Sequence, residues 1–200
     1  QVDFEKVARL QIKRLGYTDP SLNFSDKSPV EVYIHAQSPE IAVGVHPKGA
    51  GDQGMMFGFA CTETNTLMPM PIYLAHRLAK RIDDVREQGV LDYLRPDGKT
   101  QVTVEYKNGR PTSVKPVVIA VPHKEEVDLE VVKEDMYREV VGPILEAEKL
   151  VFKKQDLVVN GTGIWHMSGP AVDSGLTGRK VVVDTYGGYA PVGGGCFSGK

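Results

Sequence analysis

Apolar residues return at helical spacing from the start of the chain. Phe4, Val7, Ala8, Leu10, Ile12 and Leu15 recur with Lys, Arg and Gln between them, predicting a helix over about 4–15 with Gly16 as its stop. Asp19 to Pro29 has loop composition, and Val30–His35 alternates as a strand. Pro39 to Gly54 is glycine-rich and turn-prone, whereas Met55–Cys61 reads as a buried strand. Ile72, Leu74, Ala75, Leu78, Ile82 and Val85 form one helical stripe, so Pro71 to Gly89 is an amphipathic helix capped by Gly89.

Strict alternation returns at Lys99–Tyr106, with Val102, Val104 and Tyr106 in phase. Gly109-Arg-Pro marks a turn, and Ser113–Val121 is the returning strand. Asp128 is an N-cap for a helix over Leu129–Val141, with Gly142-Pro143 as its break, and Val151–Val159 supplies a further strand. Helices and strands in this order make an α+β unit over about 49–160, a mostly antiparallel sheet with helices on one face.

Composition narrows the classes. The hydrophobic share is 41%, the charged share 25% and the net charge −2, an ordinary globular balance without the basic field that would advertise nucleic acid. Cys61 and Cys196 stand in unrelated settings and suggest no disulfide framework. No long apolar run or leader is visible, so neither nucleic acid nor membrane is expected as a partner, and a cytoplasmic location is. The five histidines, His35, His46, His76, His123 and His166, show no metal-binding spacing, and no metal ligand is named.

The candidate chemistry lies at the end of the chain. From Gly169 to Lys200, nine glycines accompany Arg179, Lys180, Lys200, Asp173 and Asp184. Glycines let main-chain N–H groups approach phosphate oxygens, and cations neutralise them. That composition fits a polyphosphate site, although a tight β-rich loop region fits as well, and the spacing is neither a P-loop nor a dinucleotide turn.

The wording of three segments goes further. Asp173-Ser-Gly-Leu-Thr-Gly-Arg-Lys180 with Asp184-Thr-Tyr-Gly-Gly188 and Gly193 to Lys200, Gly49-Ala-Gly-Asp-Gln-Gly54, and Arg95-Pro-Asp-Gly-Lys-Thr-Gln-Val-Thr103 closely resemble the S-adenosylmethionine synthetase (methionine adenosyltransferase) family. The resemblance covers essentially the whole chain. It implies a fold of repeated two-layer α+β units, a homodimer or homotetramer with sites shared between subunits, Mg2+ and K+ as cofactors, and ATP and L-methionine as substrates. It further implies that the chain is the middle of a longer enzyme: 1–48 the end of an N-terminal domain, 49–168 a middle domain, and 169–200 the start of a C-terminal one. The family's catalytic histidine and metal-binding aspartates would lie in segments beyond these residues, so this polypeptide alone is expected to lack full activity.

By the same resemblance, Arg179, Lys180 and Lys200 are catalytic cations and, with Asp97, Lys99 and Trp165, bind ATP. Asp173 and Asp52 face methionine. Ordinary alternatives stand beside each role: a solvated surface cation, an aspartate closing a turn through its own side chain, a core tryptophan. Two positions depart from the family. Trp165 replaces the usual adenine-stacking phenylalanine, and the Gly44–Lys48 connection is shorter than the family's loop over the site. A second functional reading is a non-catalytic nucleotide- or polyphosphate-binding module derived from that family.

Overall fold

The structure is a computed structural model that describes residues 2–46 and 48–194. Helix α1 (Phe4–Arg14) begins where the Asp3 carboxylate accepts the Lys6 amide, and α2 (Pro39–Val45) follows after an irregular stretch. The central unit then comprises α3 (Met70–Glu87), strands β1 (Lys99–Lys107) and β2 (Arg110–Ala120), α4 (Leu129–Asp135), α5 (Gly142–Ala147) and β3 (Leu157–Val159). A short helix, α6 (Val181–Asp184), lies in the glycine-rich end.

The architecture is α+β, with helices packed against a small mixed sheet in the order β1-β2-β3. β1 and β2 pair antiparallel through the Asn108-Gly109 turn, where both residues have positive φ (52° and 73°) as a two-residue hairpin turn demands. The turn therefore sits one residue earlier than expected, and Arg110 and Pro111 belong to the strand. β3 joins β2 in parallel, with Val117, Val118 and Ile119 opposite Leu157, Val158 and Val159. Of the strand expected over 151–159, only its end is regular; Val151 contributes a lone bridge to Ser113.

The core lies between sheet and helices. Leu74, Leu78, Ile82 and Val85 of α3 meet Val117 and Ile119 of β2 and Val132, Met136, Val140 and Leu145 of the α4–α5 arm, all nearly or fully buried. α3 ends as its sequence predicts: Gly89 takes φ +70°, and the Val90 amide returns to the Val85 carbonyl at 2.9 Å.

Gly142-Pro143 does not end the second helical arm. Met136–Val141 widens into a π-helical turn and α5 continues directly. Pro143 has no N–H for the Glu139 carbonyl four residues earlier, and the Arg81 Nε donates to that carbonyl instead, at 2.9 Å.

Three more expectations are corrected. Val30–His35 and Met55–Cys61 form no strand, and Tyr33, Ile34, Met55 and Met56 are 61–79% exposed. Alternation and apolarity identify a segment able to pair, but a strand exists only when a neighbour supplies the ladder. No strand among the described residues pairs with either. Pro39–Val45, read as turn-prone, is helical because Ser38-Pro39-Glu40 is a helix start, with proline in the first turn.

The N-terminus of α3 is fastened by Glu63. Its carboxylate accepts the Met70 amide (2.9 Å), the Tyr106 hydroxyl (2.6 Å) and the Tyr189 hydroxyl (2.8 Å). Partial burial opposes ionisation, but the three donors outweigh it and hold the carboxyl below its ordinary range. A carboxyl depressed in the folded state contributes stability above its unfolded pKa and loses it as pH falls through the folded value. The melting temperature of the wild type should thus exceed that of Glu63→Gln at neutral pH, with the gap closing below about pH 4. A gap that stays constant with pH, measured by thermal denaturation, would contradict this assignment.

Candidate functional site

Asn160 is where the sheet turns into the site. It is buried at φ +47°, its amide donates to the Ile119 carbonyl (2.9 Å), and its carboxamide pairs with both backbone groups of Val121 (2.8 and 2.9 Å). The side chain thereby continues the β2–β3 ladder for one more residue and steers the following chain across the strand ends. There the Trp165 carbonyl accepts the His123 amide at 3.0 Å, and the Arg95 amide donates to the Pro122 carbonyl at 2.9 Å. The Arg95 guanidinium closes the third side through the His166 carbonyl at 2.7 Å.

Two histidines rigidify this junction. His123 and His166 meet edge to face, 4.8 Å apart, and the His166 Nδ1–H donates to the His123 carbonyl at 2.9 Å. The His123 Nδ1–H donates to Lys124, while its buried Nε2 and the buried Ser168 hydroxyl have no partner among the described residues.

Segments 93–99, 121–124 and 160–169 are thus laced together, and three expected site residues converge on them. Asp97 adopts φ +89°, a conformation that is uncommon outside glycine and that aspartate tolerates better than most residues. Its carboxylate lies at a long 3.4 Å from the Gly169 amide, joining the Arg-Pro-Asp motif to the start of the glycine-rich segment. Lys99 opens β1 and carries its ammonium 5.0 Å from the centre of the Trp165 ring. The indole N–H is held by the Met167 carbonyl, which sets the plane of the ring.

The remaining candidates are exposed and stand apart. Asp173 accepts the Gly175 amide (3.4 Å) and Asp52 the Gln53 amide (2.8 Å), so both at least close local turns. Arg179 and Lys180 are exposed just ahead of α6, which docks on α3 through the His76 Nε2 and the Val183 carbonyl (3.0 Å). No hydrogen bond or ion pair among the described residues joins Arg179, Lys180 or Asp173 to Asp97, Lys99 or Trp165. Lys200 and Cys196 lie outside the described residues.

Sequence reasoning missed Tyr17. Its ring packs against Gly169 and Phe24, and burial with the nearby Asp97 charge raises its phenol above the ordinary range. It also missed the lacing by Arg95, His123 and His166, whose spacing in the sequence carries no motif. A cavity of about 350 Å³ lies beyond Lys99, between Ile72 of α3, Thr100 and Gln101 of β1, and the Tyr186–Tyr189 turn.

Comparisons with known proteins agree with this convergence of motifs. The family model described as S-adenosylmethionine synthetase, central domain, matches residues 47–165, and the C-terminal domain model of the same family matches 167–200. This chain belongs to the S-adenosylmethionine synthetase family. It is 47% identical to an S-adenosylmethionine synthase of Clostridium botulinum (strain Alaska E43 / Type E3), covering 100% of this chain and 54% of that protein. It is 47% identical to the Syntrophobacter fumaroxidans (strain DSM 10017 / MPOB) protein of that name, with 100% and 53% covered. With that of Desulforudis audaxviator (strain MP104C) it shares 49% identity over 100% and 54%. The chain therefore spans about half the length of the curated relatives it matches.

Gly169 is the position whose replacement should be felt most directly. Its φ is +88°, and a Cβ there would stand 2.4 Å from Cε1 of Tyr17. Gly169→Ala should destabilise the chain by more than about 1 kcal/mol, read from denaturant unfolding, because strain and overlap add. Tyr17→Ala in the same background should recover part of the loss. No recovery would mean that the backbone conformation alone sets the cost.

Proposed function

We propose that this chain carries the nucleotide-facing part of an S-adenosylmethionine synthetase. The observation that carries the proposal is the convergence of the Arg95-Pro-Asp97 motif with Gly169, and of Lys99 with Trp165, at one set of strand ends. Residues 1–48, 49–168 and 169–200 are read as the end of one domain, a middle domain and the start of a third.

In the proposed reaction the methionine sulfur attacks the 5′ carbon of ATP. A sulfur–carbon bond forms, the carbon–oxygen bond to the phosphate chain breaks, and tripolyphosphate leaves, to be hydrolysed to phosphate and diphosphate. The product sulfonium is positive and the leaving group highly anionic, so stabilising phosphate charge is the main electrostatic task. Arg179, Lys180 and Lys200 supply cations for it, and Lys99 adds another on the nucleotide side. Trp165 stacks on the adenine, its plane held by the Met167 carbonyl. Asp97 accepts from the ribose, and Asp173 and Asp52 pair with the methionine ammonium.

Mg2+ and K+ belong to this proposal as the cations that share the polyphosphate charge. No group of three or more His, Cys, Asp or Glu suited to a metal occurs among the described residues. Among those residues no helix is long and apolar enough to cross a membrane. A cytoplasmic location is part of the proposal.

Assembly into a homodimer or homotetramer is proposed on the exposed apolar side chains of Met55, Met56 and Phe57, beside the Gly49–Gly54 motif. Sedimentation at micromolar concentration should return at least a dimer mass. A monomer mass would remove this part of the reading.

Binding tests the site itself. Trp165→Ala should weaken ATP by about 1–3 kcal/mol, as loss of a base–aromatic stack does, while Trp165→Phe retains most of the affinity. Tripolyphosphate has no base, so its affinity should fall in Lys180→Ala and should not weaken in Trp165→Ala. Equal weakening of both ligands by Trp165→Ala, with the fold intact by circular dichroism, would make the tryptophan a packing residue.

A further inference from the structure

Lys99 and Trp165 are paired with each other. The ammonium lies 5.0 Å from the ring centre, a cation–π distance. Lys99 is exposed and Trp165 half-buried, so both are within reach of a ligand arriving from solvent. The indole N–H donates to the Met167 carbonyl and the Trp165 carbonyl accepts the His123 amide, which restrains the ring where it lies against Lys99. Among the described residues Lys99 forms no ion pair with a carboxylate, and its ammonium lies over the indole. A polyanion would therefore compete for the ammonium without first having to break an ion pair.

We propose that Lys99 is a place-holder on Trp165, and that phosphate and base are admitted to the site as a coupled pair. A planar base can stack on the indole only once the ammonium has left, and a polyphosphate gives the ammonium a better partner elsewhere. Nucleotides carrying both parts gain both interactions. A nucleoside without phosphate must displace the cation and offers it nothing in return. The lysine thereby sets specificity for phosphorylated over unphosphorylated adenine ligands. This rests on the reading of Trp165 as the base-stacking residue and adds the order of interactions at it.

Coupling of this kind is reciprocal, so a base-free polyanion should tighten nucleoside binding. The experiment measures adenosine affinity by calorimetry in the full chain, with and without saturating tripolyphosphate. Tripolyphosphate should tighten adenosine roughly two- to fivefold in the wild type, the factor that an exposed cation–π contact is worth. In Lys99→Met the ring is already bare, so adenosine should bind tighter than in the wild type by a similar factor and gain nothing from tripolyphosphate. Lys99→Arg keeps a cation on the ring and should behave as the wild type does.

Tripolyphosphate alone should also change Trp165 emission in the wild type and leave it unchanged in Lys99→Met. Unaltered or weaker adenosine binding in Lys99→Met, or equal tightening by tripolyphosphate in both proteins, would overturn the place-holder role. Trp165→Ala separates the two levels. Adenosine binding that survives this substitution undiminished would refute base stacking itself, and the place-holder with it. Lys99→Gln is a second neutral variant should Lys99→Met fold poorly, and the same outcomes are required of it.

Discussion

The arrangement of the site depends on the carboxamide of Asn160 imitating a strand. Where β2 and β3 run out, the side chain takes the place of the next backbone pair and satisfies both the N–H and the C=O of Val121. Val121 is fully buried, so these groups have no water to fall back on. An unmade bond there costs about 1–3 kcal/mol for each orphaned group, more than a made one contributes. That asymmetry fixes the direction in which residues 161–169 leave the sheet, and with it the position of Trp165 and Gly169.

The core and the site are joined through this junction. α3 packs Leu74, Leu78 and Ile82 against the sheet and also brings Ile82 against Gly98, beside Asp97. At its other end, Glu63 gathers the Met70 amide and the hydroxyls of Tyr106 and Tyr189, so the glycine-rich end is tied to the helix that carries the core. The rings of Phe59, Tyr106, Tyr186 and Tyr189 close around that attachment at centroid spacings of 5.4–6.0 Å. One helix therefore positions both the Asp97–Lys99 segment and the segment bearing Arg179 and Lys180. Arg179 and Lys180 themselves stay exposed.

Segments that satisfy their own hydrogen bonds were legible in the sequence. α1, α3 and the β1–β2 hairpin are local structures, stated by apolar period and alternation, by Gly16 and Gly89 as stops, and by a turn expected at Gly109-Arg-Pro that lies one residue earlier. The family was legible through its motifs, because Asp97, Lys99, Asp173, Arg179 and Lys180 lie in contiguous words that resemble it. What each residue touches was not legible: that Lys99 covers Trp165, or that Asp97 reaches Gly169, depends on residues some seventy positions apart.

Sequence alone determined α1, α3, the hairpin, the family and the charged groups available for chemistry, since those follow from local spacing and residue type. Tertiary structure alone decided three further things. Met55–Cys61 and Val30–His35 remain without a ladder because no strand among the described residues pairs with them. The second helical arm runs through Gly142-Pro143 because Arg81, from another helix, donates to the carbonyl that proline leaves vacant. And Lys99 meets Trp165 because Asn160, across the sheet, turns the chain toward it: a hydrogen bond between distant segments has no counterpart in any local pattern.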